Sequence, residues 1–239
     1  MKILAFDSTA KAASIAVLED GRLLGLYNID NGLTQSELLL PMAENLLKSL
    51  RISYSDIGLL AVSVGPGSFT GVRIGTALVK GIAFGRNIPC VAVSTLEALA
   101  ENLSPLKGIL LPCMDARRNQ VYTATFISNG KELQRLCEDR AISLTELAEE
   151  LEKYKDMPIY LSGDGYEVAY RALSECGITL CATPELLICE NAYSIAKIGL
   201  RKYLAGDYTD DLGINPTYLR VPQAERERLE RLNKENKKD

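Results

Sequence analysis

The chain opens with three short apolar runs separated by polar turns. Residues 2–6, 13–18 and 22–29 each have strand length. Asp7-Ser8-Thr9 closes the first, and Glu19-Asp20-Gly21 forms a hairpin turn between the other two. The period then changes. Thr34-Gln35-Ser36-Glu37 has the form of a capping box, flanked by Leu33 and Leu38 as a hydrophobic staple. It predicts a helix running to about Leu50, bent by Pro41. Leu38, Leu39, Leu40, Met42, Ala43, Leu46, Leu47 and Leu50 cover more than the single stripe a surface helix needs. The helix is therefore predicted to bury a second side, against another helix or another chain.

The same excess recurs after the run 59–64, which reads as a buried strand. That strand leads through Gly65-Pro66-Gly67-Ser68-Phe69-Thr70-Gly71 into a helix predicted over 72–86. In it, small Gly75, Ala77, Gly81, Ala83 and Gly85 alternate with Ile74, Leu78, Val79, Ile82 and Phe84. Glycine costs roughly 1 kcal/mol per helical site relative to alanine, so several glycines imply close approach by a neighbour. Gly81 and Gly85, four positions apart, are expected on one face, turned to a partner because Ile74, Val79 and Ile82 serve the sheet. The turn itself has two readings. Its glycines and the Ser68 cap leave amides that suit an anion or a docking partner, or it is a tight strand-to-helix turn with no ligand. It has neither Walker nor Rossmann spacing. Asp7-Ser8-Thr9 is equally open: phosphate or metal contact, or turn chemistry with its own backbone.

Further along, the pattern predicts a strand at 90–93 and a helix at 95–102 capped by Ser94. Ser104-Pro105 to Gly108 is the best lobe boundary. Strands follow at 109–114, 121–127, 133–137 and 159–161, with helices at 143–154, 167–175 and 191–204. The turn Asp115-Ala116-Arg117-Arg118-Asn119 is either a substrate edge or a solvated hairpin. The division is thus 1–104, 105–222 and a mixed-charge helical tail at 223–239.

Composition narrows the function. With 239 residues, 47% hydrophobic and 24% charged, the chain supports a sizeable core. Its net charge of −4, with no visible Lys/Arg stripe interleaved with aromatics, argues against gripping nucleic acid alone. No run has the length of a membrane span, and Asp7 and Lys11 interrupt any signal-like start, so a cytoplasmic protein with reduced thiols is expected. None of the six cysteines forms a CxxC pair. The chain contains no histidine, which removes Ser-His-Asp and Cys-His catalysis, HExxH zinc chemistry and any His-ligated metal.

Four segments together carry a resemblance. Asp7-Ser8-Thr9 after the first strand, Ser36-Glu37-Leu38-Leu39-Leu40-Pro41, the run from Ser63 through Gly65-Pro66-Gly67-Ser68-Phe69-Thr70-Gly71-Val72-Arg73 to Gly75, and Pro216-x-Tyr218-Leu219-Arg220 resemble the TsaB (YeaZ) family. The resemblance implies an α/β chain with two lobes of the actin, Hsp70 and sugar-kinase type, each a mixed sheet with flanking helices. It implies a non-catalytic subunit paired with the paralogue TsaD, which transfers a threonylcarbamoyl group to the adenosine next to the tRNA anticodon. TsaD holds its metal through an HxxxH motif, so a chain without histidine resembles the partner. The resemblance places docking on the two helices, at Ser36, Leu38, Leu39, Met42, Leu46, Arg73, Ala77, Leu78, Gly81 and Gly85. Gln35 stands where many members carry histidine. A vestigial nucleotide site would comprise Asp7, Ser8, Thr9, Gly65, Gly67 and Ser68, and Asp7-Ser8-Thr9-Ala10 lacks the glycine of an Asp-x-Gly-Thr loop. No cofactor is expected on this chain alone: ATP and metal would belong to partner subunits, including a TsaE-type ATPase. tRNA would be reached only through the complex. Homodimerisation without the partner, a self-associating scaffold, and a kinase-like ATPase or peptidase of the same fold are the alternatives.

Overall fold

A computed structural model describes residues 1–220; the tail expected at 223–239 lies outside them. The first three apolar runs form an antiparallel meander, β1 (Lys2–Asp7), β2 (Ala13–Glu19) and β3 (Arg22–Ile29). Helix α1 (Gln35–Leu50) follows, then β4 (Ile57–Ser63), α2 (Phe69–Ala83), β5 (Cys90–Val93) and α3 (Thr95–Leu103). The sheet order is β3-β2-β1-β4-β5, with β1, β4 and β5 parallel. Central parallel strands are covered on both faces, which is why β1 and β4 are continuous apolar runs. Alternate side chains go to opposite layers. Leu4 and Phe6 meet α1 and α2, while Ile3 and Ala5 meet the last helix.

The second lobe holds β6 (Lys107–Asp115), β7 (Gln120–Thr123), β8 (Phe126–Asn129), β9 (Leu133–Arg135), β10 (Arg140–Ser143), α4 (Leu144–Leu151), β11 (Ile159–Ser162), α5 (Tyr166–Glu175) and α6 (Glu185–Ile188). The single strand predicted at 121–127 is split. Cys113 pairs with Thr123 and Leu110 with Phe126 in one antiparallel register, but the ladder breaks between them. Pro112 has no N–H to donate there, and the Thr123 hydroxyl donates to its carbonyl at 2.7 Å.

Helix α7 (Ala192–Leu204) corrects the expected division. Its Ala192, Ile195, Ala196 and Ile198 pack on the first sheet with Ala61 and Val91, and Ile214 joins the core beneath α1. The chain therefore returns to the first lobe near residue 190, whereas 105–222 was predicted as one lobe. Among the described residues no helix is long and apolar enough to cross a membrane.

Candidate functional site

The Gly-rich turn and the first hairpin meet, and they fill one another. Asp7 ends β1 fully buried; its Oδ1 accepts from the Thr9 amide at 2.8 Å and the Thr9 hydroxyl at 2.7 Å. Its Oδ2 has no partner among the described residues, and burial pushes the carboxyl up to about 6 despite the Thr9 bonds. The Thr9 carbonyl then accepts from the Ser68 amide at 2.7 Å, and the Ser8 hydroxyl donates to the Gly71 carbonyl at 2.8 Å. A Cβ on Gly67 would lie 2.4 Å from the Thr9 carbonyl oxygen, and one on Gly71 only 1.9 Å from that of Ser8. The Gly65 carbonyl accepts from Thr95, and Thr217 donates to Val64 as the C-terminal segment crosses the turn.

These contacts correct the vestigial nucleotide site. Asp7, Ser8, Thr9, Gly65, Gly67 and Ser68 are brought together, but the cradle that the glycines open is occupied by the Ser8 and Thr9 backbone. The Ser8 and Thr9 carbonyl oxygens, acceptors that repel phosphate oxygens, fill the space beside Gly67 and Gly71, so these two glycines do not form a phosphate cradle. Nor is there, among the described residues, a group of three or more Cys, Asp or Glu side chains able to hold a metal ion. A second buried carboxyl lies where the chain crosses back to α7. Glu190 is held by Asn28, which donates to its carbonyl at 3.1 Å, while its Oε1 has no partner among the described residues. Burial, reinforced by the Asp7 charge, pushes its carboxyl up to about 8.

Helices α1 and α2, where docking was expected, lie side by side on the other layer. The capping box forms as predicted, with the Thr34 amide donating to Glu37 at 2.9 Å. The predicted contact residues on α1 are mostly corrected. Leu38, Leu39, Met42 and Leu46 are buried among Leu4, Phe6 and Ile15, so they hold this chain's own core. The wide apolar face is taken up by the sheet and by α2. What α1 exposes is Ser36, Glu37, Leu40, Pro41, Glu44 and Asn45, and at its end Lys48 and Ser49.

On α2, Arg73, Ala77 and Gly81 are exposed and Leu78 is half-buried. A Cβ on Gly81 would meet nothing within 4 Å. The helix starts and ends three residues earlier than predicted. Gly85 therefore lies beyond it, in a left-handed turn with φ +69°, and does not share a helical face with Gly81. Two contacts escaped the sequence reading. The Arg73 guanidinium lies 3.7 Å from the Phe69 ring centroid, and its Nε donates to the Tyr218 hydroxyl at 2.7 Å. The spacing Phe69–Arg73, one helical turn, carried a signal for the first; Tyr218 carried none.

A family model described as TsaD, tRNA N6-adenosine threonylcarbamoyltransferase, matches residues 34–208. The tRNA threonylcarbamoyladenosine biosynthesis protein TsaB of Bacillus subtilis (strain 168) is 31% identical, covering 96% of this chain and 99% of its own. The Escherichia coli (strain K12) protein of the same name is 29% identical over 92% of this chain and 95% of its own. The solved structure of YeaZ from Pseudomonas aeruginosa superposes with a TM-score of 0.75 at 24% identity, covering 91% of this chain and 99% of that one, which shows the shared fold. With alignment running almost end to end in both directions, the chain belongs to the TsaB (YeaZ) family of tRNA threonylcarbamoyladenosine biosynthesis proteins.

Proposed function

We propose that this chain is the non-catalytic subunit that binds and organises a TsaD-type catalytic paralogue for threonylcarbamoyl transfer to tRNA. The observation that carries the reading is the Ala77–Gly81 strip of α2: exposed, nearly without side chains, and on a helix that packs against α1. A strip of that kind lets a partner helix approach the backbone closely, and glycine there gains nothing from the chain's own packing. Two further features support it. The chain has no histidine with which to hold the catalytic metal, and its Gly-rich cradle is filled by its own backbone. ATP and metal then belong to the partner subunits, including a TsaE-type ATPase.

Gly81→Leu tests this. A Cβ at this position meets no atom of its own chain within 4 Å, so the free protein should melt at the same temperature or higher, since leucine is the better helix former by somewhat under 1 kcal/mol. Association should weaken about tenfold or more, because overpacking a contact costs about 1–3 kcal/mol. Size analysis of the chain with and without the TsaD-type partner reads self-association and partner binding, and thermal melting of the free chain reads its stability. Unchanged partner affinity would remove the docking face. A variant that loses only self-association would favour the scaffold reading, with the same strip serving a second copy.

A further inference from the structure

The C-terminal segment links Arg73 on α2, through Tyr218 and Arg220, to the β6–β7 turn that carries Arg117 and Arg118. Arg73 stands at the start, exposed, stacked on Phe69 and bonded to Tyr218, whose rings are 5.1 Å apart. Two residues on, at most about 7 Å of backbone, Arg220 crosses to the second lobe. Its Nη1 donates to the Ala116 carbonyl at 3.0 Å, its Nη2 to the Gln120 side chain, and its guanidinium lies 5.5 Å from the Tyr122 ring centroid. Arg220 thus grips both stems of the β6–β7 turn that carries Arg117 and Arg118.

That turn is unusual. Arg117, Arg118 and Asn119 have φ of 64°, 56° and 58°, three successive left-handed residues with no glycine among them. Left-handed backbone costs a non-glycine residue roughly 1–2 kcal/mol, least for asparagine. The strain is held by a ring of bonds. Ala116 donates to the Gln120 carbonyl at 3.1 Å, the Arg117 amide to Asp115 at 2.7 Å, the Asp115 amide to Asp164 at 2.9 Å, and the Leu144 amide to the Asn119 carbonyl at 3.2 Å. An ordinary hairpin at this place would use Asn-Gly. This one instead keeps two long cationic side chains exposed at its tip. Arg117 is paired with Asp115 at 3.0 Å; among the described residues Arg73, Arg118 and Arg220 form no ion pair.

We propose that this strip, Arg73–Arg220–Arg117/Arg118, is where the chain contacts the phosphate backbone of the RNA on which the assembly acts. The proposal rests on the functional reading above for the presence of RNA. Guanidinia of which three lack a carboxylate partner among the described residues, joined through the C-terminal segment and interleaved with Phe69, Tyr218 and Tyr122, match a nucleic-acid backbone better than an acidic protein patch. Three such charges on a chain of net charge −4 bind RNA weakly alone and add to a partner's contacts in the complex.

The test uses the turn, the part of the strip farthest along the chain contacts from the docking helices. Arg118→Asn and the double variant Arg117→Asn with Arg118→Asn remove charge while keeping a residue that tolerates left-handed backbone. tRNA is titrated against the assembled complex with the TsaD-type partner across about 50–200 mM salt. The double variant should weaken tRNA binding about tenfold and flatten the log–log salt slope by about one to two. Arg118→Lys should retain most of the affinity. Unchanged affinity and slope would overturn the proposal. So would weakened partner binding with tRNA affinity of the complex unchanged, which would make the turn a protein contact. The same titration on the isolated chain at low ionic strength should give weak, salt-sensitive binding that the double variant loses. A chain that does not bind the TsaD-type partner at all would sink the functional reading and leave this second measurement to decide the strip.

Discussion

Gly71→Ala is expected to destabilise the folded chain by about 3 kcal/mol or more. The added methyl would sit 1.9 Å from the Ser8 carbonyl oxygen and 3.1 Å from its carbon. Backbone is the least yielding neighbour a new side chain can meet. Ser8 is fully buried, its hydroxyl donates back to the Gly71 carbonyl, and the adjoining Thr9 carbonyl holds the Ser68 amide. Moving α2 away by more than an ångström would break all of these and open the core beneath Val72 and Val79. A loss of that size lowers the melting temperature of a chain this long by roughly 10 °C. Gly81→Ala on the same helix is the control, because both changes add one methyl to a helical glycine. It should be neutral or stabilising by about 1 kcal/mol. Urea unfolding of the two proteins side by side checks the prediction. If Gly71→Ala stays within 1 kcal/mol of the parent, the close approach of α2 to the first hairpin is not what holds the Gly-rich turn.

Glu190→Gln is expected to act in the opposite direction, by an amount that grows as the pH rises from about 4.5 to about 8. Burial and the Asp7 charge raise the Glu190 carboxyl from 4.5 to about 8 in the folded chain. Between those values the unfolded chain has released a proton that the folded chain still holds, so raising the pH favours unfolding. The group costs no stability below about pH 4.5, and the cost is complete above about pH 8. Glutamine carries the shape of the neutral acid at every pH. The variant should match the parent near pH 4.5 and exceed it by about 2–4 kcal/mol near pH 9. Asp7, raised to about 6, acts with the same sign over a lower range in both proteins, and its repulsion of ionised Glu190, present only in the parent, adds to the difference near pH 9. Urea midpoints at the two pH values measure it. A stability difference independent of pH would mean that Glu190 is ionised in the folded chain at neutral pH, with a partner for Oε1 supplied by groups other than the described ones.

How much of this was legible beforehand follows the range of the forces involved. The meander β1–β3, the Thr34–Glu37 capping box, the strand before the Gly-rich turn and Ser94 as the cap of α3 depend on residues a few positions apart, and the sequence places each within a residue or two. The exclusion of histidine chemistry needs no coordinates at all. The family, too, is carried by short runs such as Gly65-Pro66-Gly67-Ser68-Phe69-Thr70-Gly71. The end of α2 is less legible, because the left-handed Gly85 and the earlier stop at Ala83 compete with an apolar pattern that continues through Phe84.

The tertiary structure alone decides what each legible element is for. Periodicity shows that α1 has too broad an apolar face, but the register against β2, β3 and α2 determines that Leu38, Leu39, Met42 and Leu46 turn inward while Ser36 and Leu40 stay out. Glycines at 71 and 81 look alike in a helix; one is pressed against a carbonyl and the other faces open space. No window of the sequence holds Arg73, Arg118 and Arg220 together, and net charge argues against any such strip. The sequence by itself thus determined the local elements, the family and the absence of histidine chemistry, because propensity, capping and composition act over a turn or two of chain. Burial, close backbone approach and the gathering of like charges are set by contacts between residues remote in sequence, 63 apart for Ser8 and Gly71 and 145 for Arg73 and Tyr218, and only the fold decides those.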